Sequence, residues 1–316
     1  VEAKTHIKRN SAMRKGPVLW LDGGLSTTLE KRLGELHPTL WSAGHIASHG
    51  SELAACQREF LSAGCQILTL PTYQLSWEGV QRAGWSAQTY RDLLAKAMEL
   101  TQAACENATH LPLLAASLGP YGAFLADGSE YNGAYQVDHF VRQYHHRKLK
   151  DFAELPVQIL LFETIPHWGE LELIVQLVEE VRPRQQVWLS LSLGDPETLA
   201  DGTPLRQVFE GLRGSTVITA LGANCFAPEW LPRVADQFAD AAPQPYFFYP
   251  NAGEIWDAQK RRWVGKITAK DPIGDLWRKS DDYDNLIALG GCCRMDPKAM
   301  GDIISGHSDP ELCKGG

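Results

Sequence analysis

Short apolar runs recur along the chain, each ended by small or polar residues: VLWLDGG (18–24), QILTLPTY (66–73), LLAASLGPYG (113–122), QILLFETIP (158–166), VWLSLSLGD (187–195), VITALGANC (217–225), PYFFYPNAGE (245–254) and LIALGGCC (286–293). Their hydrophobicity is continuous rather than alternating, which predicts strands covered on both faces, as in a parallel sheet. Segments of helical period lie between them. Leu53, Cys56, Phe60 and Leu61 share one such face; Tyr90, Leu93, Leu94 and Ala97 share a second. Leu171, Ile174, Leu177 and Val178 repeat the pattern, with acidic residues expected on the opposite face. Asp296-Pro297 reads as a cap and first-turn proline opening the last helix.

Eight strand segments alternating with helices predict an α/β chain folded as a (β/α)8 TIM barrel, with an open doubly wound sheet as the alternative. The expected organisation is an N-terminal arm over 1–17, one barrel domain over 18–306 and a tail over 307–316. In a barrel, the long connections 23–51, 118–140 and 251–285 fall on the face where chemistry is usually carried.

The last residues of the runs are Asp22, Tyr73, Tyr121, Glu163, Cys225, Asn251, Glu254, Cys292 and Cys293. A barrel would bring them to one mouth. Three thiols from two strand ends suit a thiophilic metal, Zn²⁺ first, and three ligands leave an open position for water or substrate. Gly290-Gly291 would let the chain turn sharply enough to aim both following sulfurs at one ion. Buried, unreactive thiols are the other reading, and the one expected of Cys56, Cys65 and Cys105, with Cys313 incidental. A strained vicinal disulfide is a third.

Asp22 can hold a substrate ammonium group or cap the following helix. Glu163 ends a core strand, where a charge is seldom buried unpaired, and is read as a ligand-binding group. Trp41, Tyr73, Tyr121 and Tyr249 are read as core or as an aromatic wall that attracts a cation. His145-His146, within YHHRKLK, reads as a solvated face, and His167 has no ligand spacing.

The formal net charge of −8 argues against nucleic-acid or anionic-membrane partners and leaves a small molecule as the expected ligand. Seven cysteines, an odd number in a chain of 316 residues, fit a reducing compartment. No apolar run reaches the roughly 18 to 20 residues of a membrane span, and no signal-peptide core is visible, so the expected location is cytoplasmic.

LDGGLSTTLE (21–30), LWSA (40–43), PTYQ (71–74), YGAFLADGSEYNGAY (121–135), FETIP (162–166), GANC (222–225), YPNAGE (249–254) and GGCCR (290–294) together resemble the homocysteine S-methyltransferase family. The resemblance runs in order from Val18 to Ile304. It implies a barrel with zinc held by Cys225, Cys292 and Cys293, and homocysteine bound through its amino group by Asp22 and Glu163. Trp41 and Tyr73 match positions close to the substrate. The motifs are most similar to the branch that takes its methyl group from a sulfonium, S-methylmethionine or S-adenosylmethionine, and gives methionine. Betaine- or selenocysteine-type methyl transfer, or a metal-independent cysteine enzyme, are the alternatives. The chain departs from the family pattern at Pro71 and at Met295-Asp296.

Overall fold

The computed structural model describes residues 16–257 and 262–306, so most of the expected arm, Cys313 and the tail lie outside the described residues. The eight apolar runs form eight strands: β1 (Leu19–Trp20), β2 (Ile67–Thr69), β3 (Leu113–Leu118), β4 (Ile159–Ile165), β5 (Gln186–Leu191), β6 (Ala220–Asn224), β7 (Tyr246–Tyr249) and β8 (Leu286–Leu289). They make one parallel sheet in which each strand lies beside its sequence neighbours, with β1 on β8. Between β1 and β2 the ring closes through the parallel bridge Leu21↔Ile67, with Asp22 N donating to Ile67 O at 3.0 Å and Gln66 N to Trp20 O at 2.7 Å. This is the predicted (β/α)8 barrel.

The continuous apolar runs are explained by two cores, one on each side of the sheet. Leu21, Ile67, Ala115, Ile159, Leu161, Trp188, Ala220, Phe247 and Ala288 fill the barrel interior. Alternate neighbours such as Leu68, Ala116, Leu160, Phe162, Leu189, Leu221, Phe248 and Leu289 face the helices. Interior packing is tight: a Cβ on Gly222 would come within 2.3 Å of Phe247 O.

The predicted helical faces are buried on Gly50–Ser62, Ala87–Cys105 and Trp168–Val181. Asp296 caps Pro297–Ser305 as expected, accepting from Ala299 N at 2.9 Å. The expectation that YHHRKLK is a solvated face holds for Arg147 and Lys150 but is overturned for His145 and Lys148. On His139–Ala153, the three- and four-residue spacing puts Val141, Tyr144, His145, Lys148, Leu149 and Phe152 on the inward face. Apart from His145 Nδ1, their polar side-chain groups are tolerated there because partners meet them. Lys148 Nζ donates to Tyr73 O at 2.7 Å. His145 Nε2 lies 2.6 Å from Glu170 Oε1. Glu170 is itself buried, against the expectation that the acidic residues of its helix face outward, and also accepts from Tyr121 N and Tyr135 OH.

Candidate active site

The alternation of each strand decides what reaches the mouth. Ile159 and Leu161 point into the barrel, so two residues later Glu163 does too, at the open end. The same register carries Ala115 to Ser117, Trp188 to Ser190, Ala220 to Asn224, Phe247 to Tyr249 and Ala288 to Cys292. These polar ends form a hydrogen-bonded ring. Ser117 Oγ and Tyr249 OH donate to the two oxygens of Glu163. Asn224 Oδ1 accepts from Ser190 Oγ at 2.7 Å and Thr164 N at 2.9 Å. Its Nδ2 donates to Thr164 Oγ1 at 2.8 Å and points at Cys292 Sγ, 3.8 Å away.

Cys225, Cys292 and Cys293 meet at this ring, with their sulfurs all within 4.8 Å of one another and those of Cys225 and Cys293 at 3.4 Å. A tetrahedral ion with Zn–S bonds of about 2.3 Å would hold its sulfurs roughly 3.8 Å apart, inside that range. Hydrogen bonds between the sulfurs push each thiol's pKa in opposing directions, while burial and the repulsion of neighbouring thiolates leave all three well above an ordinary thiol. Three thiolates this close require a shared cation, so the donor set fits a metal ion. Cys56 and Cys65 are buried elsewhere in the core, as expected, and Cys105 donates to Thr101 O on its own helix.

The turn that aims these sulfurs differs from expectation. Gly290 and Gly291 do not adopt positive φ; they are needed for space, because a Cβ would lie 2.7 Å from Leu21 Cβ at one and 2.3 Å from Met295 Cβ at the other. The left-handed residues are Cys225 (φ 58°) and Arg294 (φ 68°). Asn251 Nδ2 donates to Cys225 O at 3.0 Å, and Arg294 N donates to Thr27 Oγ1 at 2.9 Å. The Arg294 guanidinium pairs with Glu254 at 2.8 Å, tying the last two mouth loops together. Trp41, Ala126 and Thr164 also have positive φ and line the mouth, so among the described residues nearly all of the non-glycine left-handed backbone gathers there, Arg182 excepted.

Asp22 is buried and accepts from Thr69 N at 2.7 Å and Thr69 Oγ1 at 2.9 Å through the same oxygen. Burial pushes its pKa up to about 7. Burial also raises Glu163, against the opposing pull of the Ser117 and Tyr249 hydroxyls. Both carboxylates line an inner cavity of about 110 Å³ with Tyr73 and the three cysteines. An outer cavity of about 600 Å³ opens above it, and Trp41, Glu130, Tyr131, Cys225 and Cys293 line both. Asn251 and Glu254 reach the outer cavity only.

Tyr121 does not join the mouth. β3 ends at Leu118, so Tyr121 opens a short helix and its ring packs on Phe124, Tyr135 and Tyr144. His167 caps its helix by accepting from Gly169 N. Sequence reasoning missed Ser117, Asn224, Glu130 and Tyr131; the signal available was a small polar residue two positions beyond inward Ala115 for Ser117, and a polar residue four positions beyond inward Ala220 for Asn224.

A parallel barrel whose mouth gathers three thiols and two carboxylates defines a (β/α)8 enzyme with a thiol-rich centre at the C-terminal ends of its strands. A family model described as homocysteine S-methyltransferase matches residues 19–304, and the chain belongs to that family. Homocysteine S-methyltransferase 2 of Zea mays is 33% identical over 301 residues, covering 90% of this chain and 88% of that protein. Homocysteine S-methyltransferase of Escherichia coli (strain K12) is 33% identical over 306 residues, covering 92% and 97%. The solved structure of the homocysteine methyltransferase MmuM from Escherichia coli, metallated form, aligns with a TM-score of 0.80 at 30% identity, covering 92% of this chain and 97% of that one.

Proposed function

We propose that the protein transfers a methyl group from a sulfonium donor, S-methylmethionine or S-adenosylmethionine, to the thiol of L-homocysteine, giving methionine, with zinc held by Cys225, Cys292 and Cys293. The observation that carries this reading is the convergence of three thiols with Asp22 and Glu163 in one enclosed chamber. Bound zinc supplies a Lewis acid with an open ligand position, which lowers the pKa of a thiol from its usual value of about 8.5.

The chain's own residues do the rest. Asp22 and Glu163 take the ammonium group of homocysteine, and that cation offsets the burial that raises their pKa values. Ser117 and Tyr249 fix the Glu163 carboxylate by donating to both of its oxygens. The Asn224 amide, held by Ser190 and Thr164, directs an N–H toward Cys292 Sγ. Tyr73 and Trp41 wall the chamber and exclude water. In the transfer, a sulfur lone pair of homocysteine attacks the donor's methyl carbon. The methyl–sulfonium bond breaks with its electron pair passing to the departing sulfur, which leaves as a neutral thioether. The thiol proton is lost to solvent. No general acid is required, because the departing thioether is already neutral.

Metal analysis of the purified protein and a competition assay with homocysteine, S-methylmethionine, S-adenosylmethionine and betaine test the reading. The expected result is about one zinc per chain and methionine formed from a sulfonium, with Cys225→Ser losing both metal and turnover. Full activity in metal-free Cys225→Ser would refute the role of zinc; transfer from betaine alone would refute the donor.

A further inference from the structure

The neck between the two cavities holds a carboxylate that the reading above leaves without a task. Glu130 is 4% exposed, and its Oε2 is buried with no hydrogen-bond partner. Burial is the main cause of its raised pKa, about 7. Such a group is costly to keep unless a cation arrives to meet it.

Its position is fixed by the backbone. Glu130 lies in the short turn Ser129–Tyr131, which presses against Gly122 so closely that a Cβ there would come within 2.5 Å of Glu130 N. The side chain therefore stays at the neck, where it lines both cavities beside Cys225 and Cys293 and the rings of Trp41 and Tyr131.

Among the described residues, the charged side chains that line the outer cavity, Asp127, Glu130, Glu229 and Glu254, are all acidic. Of these, Glu254 is paired with Arg294, and Asp127 accepts from Ser129 N. Glu130 is the buried one, the one with an orphaned oxygen, and the one next to the thiols. Two aromatic side chains and an unpartnered carboxylate shared by the linings of both cavities are the chemistry that holds an onium centre.

We propose that the outer cavity seats the methyl donor and that Glu130 is a specificity-determining residue, the counter-charge that holds the donor's sulfonium centre at the neck facing the thiol chamber. This rests on the methyl-transfer reading and adds to it a division of labour: Asp22 and Glu163 serve the acceptor's ammonium group, and Glu130 serves the donor's sulfur cation.

Glu130→Gln keeps the shape and removes the charge. The expected result is a rise of about tenfold or more in KM for S-methylmethionine, with KM for homocysteine and zinc content unchanged. A parallel rise in homocysteine KM would overturn the assignment by placing Glu130 in the acceptor site, and an unchanged donor KM would overturn it outright. A second measurement separates charge recognition from a structural defect: the affinities of S-methylmethionine and of homoleucine, its uncharged carbon isostere, measured by calorimetry. The native protein is expected to prefer the sulfonium, and Glu130→Gln to lose most of that preference. Equal weakening of both ligands, or no preference in the native protein, would refute the proposal. Because calorimetry needs no turnover, it decides the role of Glu130 even if the native protein forms no methionine from any sulfonium, an outcome that would defeat the methyl-transfer reading itself.

Discussion

Along β4, Ile159 and Leu161 face the barrel interior and are buried among Leu21, Ile67, Ala115 and other apolar neighbours, whereas Glu163, on the same face, ends in a ring of hydroxyl, amide and thiol groups. The floor and the mouth thus use the same strands and the same alternation, yet they carry different costs. The floor is regular strand with close-packed side chains. The mouth carries left-handed backbone at Trp41, Ala126, Thr164, Cys225 and Arg294, and carboxylates that burial disfavours at Asp22, Glu130 and Glu163. The difference shows where stability is made and where it is given up for chemistry.

The sharpest way to break that contrast is to damage the floor alone. Ile159→Ala removes a side chain that is 1% exposed, two layers below the ring. It is expected to lower unfolding free energy in urea by about 2–5 kcal/mol, while KM for homocysteine stays at the native value. A variant that lost substrate binding at unchanged stability would mean that floor and mouth are not separable.

The converse test relieves the mouth. Asp22 has a native pKa of about 7 against an ordinary value of 3.8, so the folded state keeps a proton that the unfolded chain gives up. Its contribution to stability is therefore lost as pH rises from about 4 to about 7 and stays lost above that. Asp22→Asn retains an acceptor oxygen for Thr69 and removes the charge. Urea unfolding near pH 8 is expected to show the variant more stable on the order of 2 kcal/mol, with the gain vanishing near pH 4 and homocysteine binding weakened at both. A variant less stable than the native protein at pH 8 would show that the buried charge is already matched.

The smallest effect is expected at a left-handed residue far from the mouth. Arg182, at φ 50°, ends the helix Trp168–Val181 on the surface. Arg182→Gly is expected to raise stability by up to ~1 kcal/mol in thermal unfolding, without altering turnover. A loss of turnover there would mean that strain outside the mouth also serves the reaction.

How much of this was legible in the sequence follows from the same contrast. The eight strands were readable because both faces of each are covered, which leaves an apolar run with a polar terminus. The cysteines, Asp22 and Glu163 were readable as those termini. Ser117 and Ser190 were hidden, because one small hydroxyl inside LLAASL or VWLSL does not interrupt a hydrophobic run and gains meaning only once the register pairs it with Glu163 or Asn224. His145 and Lys148 were misread because YHHRKLK is polar on average, while the helix sorts those residues by face and supplies Glu170 and Tyr73 O to meet them. Glu130 sits in an aperiodic loop, and only the folded neck reveals that its oxygen lacks a partner. The role of Gly290-Gly291 was a matter of close approach by Leu21 and Met295, a contact between segments far apart in the chain.

The closure of the ring at Asp22 has a consequence for how this enzyme can change. At the β1–β2 seam, where the main-chain pairing of the barrel is sparse, the Asp22 carboxylate accepts from the backbone and the hydroxyl of Thr69, as a strand carbonyl would. On the function proposed above, one side chain is both wall and acceptor site. A residue without an oxygen at this position would open the seam before it could retune recognition, so the acceptor half of the pocket has little room to drift. The outer cavity, framed by loops beyond the strand ends, is where, on the same proposal, a new donor could be accommodated while the barrel stays intact.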